Sequence, residues 1–397
     1  MAAIRYGNVR RLIQGMLCVV LSAILWACGP GTEPAEIERV LLVSWQSYAR
    51  RYISPEGRVV LAERGGETIS EAQAYALLRA LWVGDEATFA RVYAWTRENL
   101  SRSGTSGDHL LAWHWGPRAD GSWGILDPNT AADADVDYAM ALWLAARRGW
   151  QPPSPWPDYG SEARAVCRDI LAKETIRTPS GELLLAPGNW HDNTPPLLLN
   201  PSYFSPGAYR LFREAGFDPR WEQLHESVYP VLARIFQHFG QASGAGLCPD
   251  WLLMQADGRF TFPADRNADF GWEAVRLPWR LALDARWFGE KRAAPMLSRQ
   301  FLPFFRQEWQ TQGRLAAVYS LEGKPQVSYE SPVLYAGVLA AALTAGDQQF
   351  ASRLAEKILS FYREEGAEGY FVNPDNYYAN NWAWFGLALY AGWVKKF

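Results

Sequence analysis

The stretch SEAQAYALLRALWVGDEATFARVYAWTRENL, residues 70–100, decides how the rest of the chain is read. Its apolar residues recur at i, i+3 and i+4 on both sides of Gly84–Asp85, the pattern of two helices joined by a tight turn. Ser70 reads as a helix cap, with Glu71 directly behind it at the edge of a glycine-bearing loop. Working outward, the same periodicity recurs near 36–52, 132–149, 161–174, 205–215, 221–239, 272–287, 293–310, 332–345, 348–364 and 379–395. With the two helices of the opening stretch this makes about twelve. Strand-like alternation is confined to short stretches around 58–62, 181–186 and 257–262. Helices in this number, in one domain, predict an all-α closed toroid of helical hairpins. An inner and an outer ring would leave a cleft at the inner helices' N-terminal ends, where positive dipole ends face hydroxyl-rich or anionic ligands.

The 397 residues, 49% hydrophobic and 20% charged, suffice for a large core. The net charge of -3 and the lack of a long basic run argue against nucleic acid. Twenty Trp and eighteen Tyr are the unusual feature. Many belong to the core, but flat amphipathic rings also suit stacking on sugar faces. The five His are scattered and no Cys/His cluster has zinc spacing, so neither metal nor cofactor is expected.

Residues 1–27 read as a signal segment: Arg5, Arg10 and Arg11 precede an apolar run from Leu12 to Ala27, too short for an ordinary membrane span. The run ends in LWACGPGTEPAE, 25–36, which resembles a bacterial lipoprotein junction with Cys28 as the lipidated residue. Residues 28–36 are then a linker, and 37–397 a single domain, outside the cytoplasm and held at a membrane by the lipid. Ordinary cleavage or an uncleaved anchor would also place the body outside. Cys167 and Cys248 remain in the body; whether they pair stays open.

Seven collinear segments carry a resemblance. Residues 70–100 resemble the SEGQ-type signature of glycoside hydrolase family 8, the inverting endoglucanases, which include the cellulases of bacterial cellulose-synthesis operons. LLAWHWG (110–116), LDPNTAADADVDYAMAL (126–142), NPSYFSPGAYRLF (200–212), CPDW (248–251) and FGWEAVRLPWRLALD (270–284) resemble further family segments in order, and YYANNWAWFGLALYAGWV (377–394) resembles its C-terminus. The resemblance implies an (α/α)6 barrel, a β-glucan substrate and a monomer. It makes Glu71 the general acid, and Asp133 the residue that holds the sugar at the point of cleavage. Read without it, Glu71 favours the helix dipole and Asp133 caps the following helix, unless Asp135 or Asp137 does so.

Inverting hydrolysis also needs a carboxylate base. The family commonly has Asp where this chain has Glu273, one methylene longer. Three readings compete: Glu273 is the base; Asp269, one turn earlier, serves instead; or the chain holds an exopolysaccharide without cutting it. Ala72 and Ala132 also depart from the family's Gly and Ser/Thr. Arg276, three residues after Glu273 on one helix face, would steady the carboxylate. Trp113, Trp115, Tyr203, Trp251 and Tyr377 fall in matching segments and are candidates for sugar stacking. Cellulose, mixed-linkage glucan, chitosan and xylan all remain open as substrates.

Overall fold

The computed structural model describes residues 34–397; the signal segment 1–27 and Cys28 lie outside the described residues. Among the described residues, thirteen α-helical segments alternate between two rings. The outer ring holds α1 (Pro34–Tyr52), α3 (Glu86–Asn99), α5 (Tyr159–Lys173), α7 (Arg220–Ser243), the pair α9 (Ala293–Met296) and α10 (Leu302–Gln312), and α12 (Gln348–Leu359). A π turn, Leu297–Phe301, joins α9 to α10, so the pair acts as one outer helix. The inner ring holds α2 (Ser70–Val83), α4 (Ala132–Arg147), α6 (Pro206–Glu214), α8 (Leu277–Phe288), α11 (Pro332–Thr344) and α13 (Tyr377–Tyr390). This is an (α/α)6 barrel.

The composition of each segment sets its ring. PVLYAGVLAAALT of α11 is apolar on every side and eleven of its residues, Pro332 to Ala342, are buried. A helix without a polar face must be wrapped by others. QQFASRLAEKIL of α12 buries only Phe350, Ala351, Leu354, Ala355 and Ile358, one stripe, and faces water with the rest. Neighbouring inner helices pack in the order α2–α4–α6–α8–α11–α13. Long side chains close the ring between α13 and α2. Tyr75 of α2 meets Phe385 and Trp382 edge-on, and Arg79 donates to Asn381 Oδ1 at 3.2 Å.

Among the described residues, four small sheets decorate the barrel. Residues 181–186 and 257–262 do contribute strands, at Leu183–Leu185 and Phe260–Thr261, but 58–62 makes only isolated bridges, Ile53 with Val59 and Leu61 with Glu67. The hairpin His114–Pro117/Trp123–Asp127 falls outside the sequence expectation, because its glycines and charged turn hide the alternation. One further expectation needs correction, and one open question is answered. The helix predicted from 272 begins only at Leu277, after a 3-10 turn, Ala274–Arg276, since Pro278 fits only the first turn of an α-helix. Cys167 and Cys248 are both free and buried, so they do not form a disulfide.

Candidate active site

At the N-terminal end of the inner ring, Arg276 gathers three carboxylates. Its Nη1 donates to Glu71 Oε2 at 2.9 Å and to Asp133 Oδ2 at 2.8 Å, and its Nη2 contacts Glu273 Oε2. Nη2 also donates to Ser202 Oγ at 3.1 Å. Residues 205 and 143 positions apart in sequence thus meet on one guanidinium. Its planar fork suits this, since a lysine ammonium could not hold three carboxylates in fixed directions.

Each carboxylate is placed by its own element. Glu71 and Asp133 sit in the first turns of α2 and α4. Ser70 does not cap α2: it is the first helical residue, preceded by Ile69, and no side chain caps that end. The same holds for α4, preceded by Ala131; Asp133 lies within the first turn, Asp135 Oδ1 accepts from Leu111 N–H at 2.9 Å, and Asp137 pairs with Arg280. None of the three acids is a cap. The outer helices α3, α5 and α12, by contrast, are capped by Asp85, Asp158 and Asp347. The dipoles of these two inner helices are therefore left to act on the cleft.

Glu273 precedes the 3-10 turn and still meets Arg276 three residues on, so the expected i,i+3 contact survives on a tighter turn. Asn200 donates from Nδ2 to Glu273 Oε2 at 2.9 Å. Asp250 holds the turn itself: its Oδ1 accepts the N–H groups of Gly271, Glu273 and Ala274 at 3.0, 3.1 and 2.7 Å. Burial raises the Asp250 carboxyl to about 6, although these donors pull the other way. From the far side α11 presses on the turn at Gly337, where a Cβ would lie 2.4 Å from Val275 O. One helical turn deeper, Arg280 of α8 pairs with Asp137 of α4, repeating the pair that Arg276 of the preceding 3-10 turn makes with Asp133. Both rungs are written in the sequence as Asp and Arg pairs spaced by four.

Solvent access divides the acids. The Glu71 side chain is 17% exposed and Asp133 4%, against 31% for Glu273. Burial pushes the Glu71 carboxyl up to about 7; Asp133 and Glu273 add to this, and Arg276 and the Tyr377 hydroxyl oppose it. Tyr75 and Tyr377 donate to Glu71 from 3.3 Å each. Asp133 Oδ1 is buried with no donor among the described residues, leaving an acceptor directed at whatever fills the cleft.

A pocket flanks the carboxylates on either side. One, of about 360 Å³, is lined by Trp113, Tyr203, Trp251 and Trp190 among others. The other, of about 470 Å³, is lined by Glu71, Glu273, Arg64, Trp272, Tyr377 and Tyr378. Tyr203 links the first to the centre, with its ring 5.2 Å from the Arg276 guanidinium and 5.8 Å from Trp251. Trp115 lines neither pocket; it packs against Trp95 and Trp123 beneath Arg58. Tyr377 contributes its hydroxyl to Glu71 while its ring is buried among Tyr52 and Tyr75. Asp269 lines neither pocket, and its backbone carbonyl accepts from Asp250 N–H. Asn200, Ser202, Asp250 and Trp190 were not singled out from the sequence. The first three lie inside the NPSY and PDW segments already noted, and only packing reveals their role.

Behind the first pocket lies a second buried acid pair, Asp135 and Glu174. Burial raises the Asp135 carboxyl well above its usual range and takes Glu174 to about 8, and the two share a hydrogen bond. Two facing carboxyls need a proton between them. Thr130, in the pocket wall, donates to Glu174.

The barrel thus brings its acids together at one end of the inner ring, beside aromatic-lined pockets. The profile of Glycosyl hydrolases family 8 matches residues 13–386, and the chain belongs to that family. It is 32% identical over 267 residues to an endoglucanase of Pseudomonas fluorescens, covering 64% of this chain and 62% of that protein. With endoglucanase A of Acetivibrio thermocellus it shares 28% over 351 residues, 85% of this chain and 68% of the relative. The solved endo-beta-1,4-glucanase CMCax of Acetobacter xylinum superimposes with a TM-score of 0.66 at 25% identity, covering 88% of this chain and 98% of that one. The chain thus spans less than two thirds of the Pseudomonas relative's length.

Proposed function

We propose that the protein is an inverting, endo-acting glycoside hydrolase that cleaves β-1,4-glucan chains. The observation that carries this is the joining of Glu71, Asp133 and Glu273 on Arg276 with a pocket on each side. A chain bound across both pockets would present an internal linkage to the acids, which is what endo-cleavage requires. The relatives' activity as endoglucanases agrees with this reading.

In this reading Glu71, its carboxyl held near 7 chiefly by burial, carries a proton in mildly acidic solution and gives it to the leaving oxygen. Glu273, the most open of the three, takes a proton from the attacking water on the opposite face. Arg276 and Asn200 keep its carboxylate in place, and release of one oxygen to water is the step its partial exposure permits. Asp133 accepts a sugar hydroxyl at its free Oδ1. The second reading, a binder that does not cut, draws on Glu in place of Asp at the base. The anchoring of the turn by Asp250 favours catalysis, because a base needs a fixed position. The signal-like segment and Cys28 support an extracytoplasmic, lipid-anchored protein, with a part in exopolysaccharide production as one setting.

The test is product release from a soluble β-1,4-glucan with the anomer followed by NMR, for wild type and for the Glu71→Gln and Glu273→Gln variants. Product that is initially α-anomer, with both variants inactive, is expected. A fully active Glu71→Gln variant would sink the reading; glucan binding without turnover would establish the binder.

A further inference from the structure

The first pocket contains a cation that the glucanase mechanism does not use. Arg266 lies in the loop between Thr261 and the Glu273 turn, and its guanidinium is stacked 4.5 Å from the Trp251 ring and 5.3 Å from the Trp190 ring. Among the described residues no Asp or Glu oxygen lies within ion-pair distance of it, and it makes no hydrogen bond there. Its sequence neighbour Asp265 does not pair with it, and Asp127, which lines the same pocket, uses Oδ1 to accept from Asn129 N–H at 2.9 Å. The indoles are themselves fixed. Trp190 donates from Nε1 to Thr130 O at 3.1 Å, and Trp251 meets the edge of Tyr203.

Two aromatic faces fix the plane of a guanidinium but leave its N–H edge unsatisfied by protein. That edge is the part that recognises a carboxylate through two parallel hydrogen bonds. Because stacking has already removed side-chain freedom, little ordering remains to oppose binding. The aromatic wall runs on from Trp251 through Tyr203 to Arg276, so a ligand held at Arg266 lies on the same path as the scissile bond. We infer that Arg266 forms a subsite for a carboxylate-bearing sugar, a glucuronate or carboxyl-substituted glucose within the glucan. The protein would then select glucans acidic at this one position. A cationic polymer such as chitosan would be disfavoured there. Asp127 opposes an anion on its own side of the pocket, which confines the carboxylate to the Trp190–Trp251 side. This inference rests on the glucan reading of the cleft.

The experiment measures binding by calorimetry to the protein carrying Glu71→Gln, so that ligand is not consumed. The probes are cellohexaose and two cellohexaose derivatives with a single glucuronate, one at each end. One acidic probe is expected to bind on the order of tenfold more tightly than the neutral parent, with the advantage shrinking as salt is raised. Adding Arg266→Met should abolish that advantage and leave neutral binding within about threefold. Equal binding of all three probes overturns the inference, as does equal weakening of neutral and acidic probes by Arg266→Met, which would mark Arg266 as packing alone. Acidic binding that depends on Arg266 without neutral binding would uphold the subsite and revise the glucan reading. If no probe binds, both fall.

Discussion

The clearest quantitative consequence of the site concerns Glu71 and the two groups that pull its proton affinity in opposite directions. A general acid at about 7 places the alkaline limb of kcat/KM near neutrality, with activity lost as pH rises through that value. Asp133 and Glu71 share Arg276 Nη1, at 2.8 and 2.9 Å, which puts the two carboxylate oxygens within about 5–6 Å of each other. At an effective dielectric of about 20 that repulsion is about 3 kcal/mol, or about two pH units before the intervening guanidinium reduces it. Asp133→Asn removes the repulsion, so the alkaline limb should move to lower pH, by about one unit. Tyr377→Phe removes a donor that favours the Glu71 carboxylate. At 3.3 Å that bond is weak, about 0.5–1 kcal/mol, so the limb should move to higher pH by less than about one unit. The assay is kcat/KM on a soluble cello-oligosaccharide across about pH 4 to 9. Asp133→Asn will also lower the maximal rate, but the position of the limb is read from residual activity. Movement of both limbs in one direction, or a limb indifferent to either change, would refute the assignment of Glu71 as the titrating acid.

Further outcomes follow from the supports around the site. Glu273→Asp withdraws the carboxylate by about 1.5 Å from Asn200, and should cost on the order of 100-fold in kcat; a faster variant would show that the turn is set for the shorter acid. Gly337→Ala places a Cβ against Val275 O, a backbone atom that cannot swing aside. It should destabilise by about 1–3 kcal/mol and lower kcat, checked by urea unfolding and initial rates. The Asp135–Glu174 pair gives a pH dependence with a definite sign. Both folded-state affinities are raised, chiefly by burial, so the folded chain holds more protons than the unfolded one from the ordinary carboxyl range up to about 8. Stability should therefore fall as pH rises through that window. Glu174→Gln, which cannot lose a proton, should flatten the fall in Tm between mildly acidic and mildly alkaline buffer; an unchanged slope would mean the pair does not titrate.

Much of the site was legible once the segments were seen to be collinear. Glu71, Asp133, Glu273 and Arg276, each inside one of those segments, meet in the structure. Trp113, Tyr203 and Trp251 line a cleft pocket. Trp115 sits two residues from Trp113, where plain alternation would give it the same face, but the strand register shifts between His114 and Trp115, and Trp115 packs beneath Arg58 instead. Arg266 gave no sequence signal. A lone arginine in PADRNADF reads as solvated loop, and only the approach of Trp190 and Trp251 distinguishes it.

The sequence by itself determined the helical hairpins and which helices are wrapped. Periodicity records burial, and α11, apolar on all sides, has no other place than the inner ring. It also set the terminal position of each acid, at the start of an inner helix or just before one. The tertiary structure alone decided that these ends face one guanidinium, that Cys167 and Cys248 stay unpaired, and that Asp135 meets Glu174. The reason is geometric: a one-dimensional pattern tells each helix how much of its surface to hide, but not which helix comes to lie beside it. That is fixed only when α13 closes back on α2 through Tyr75 and Arg79, bringing residues hundreds of positions apart to one end of the ring.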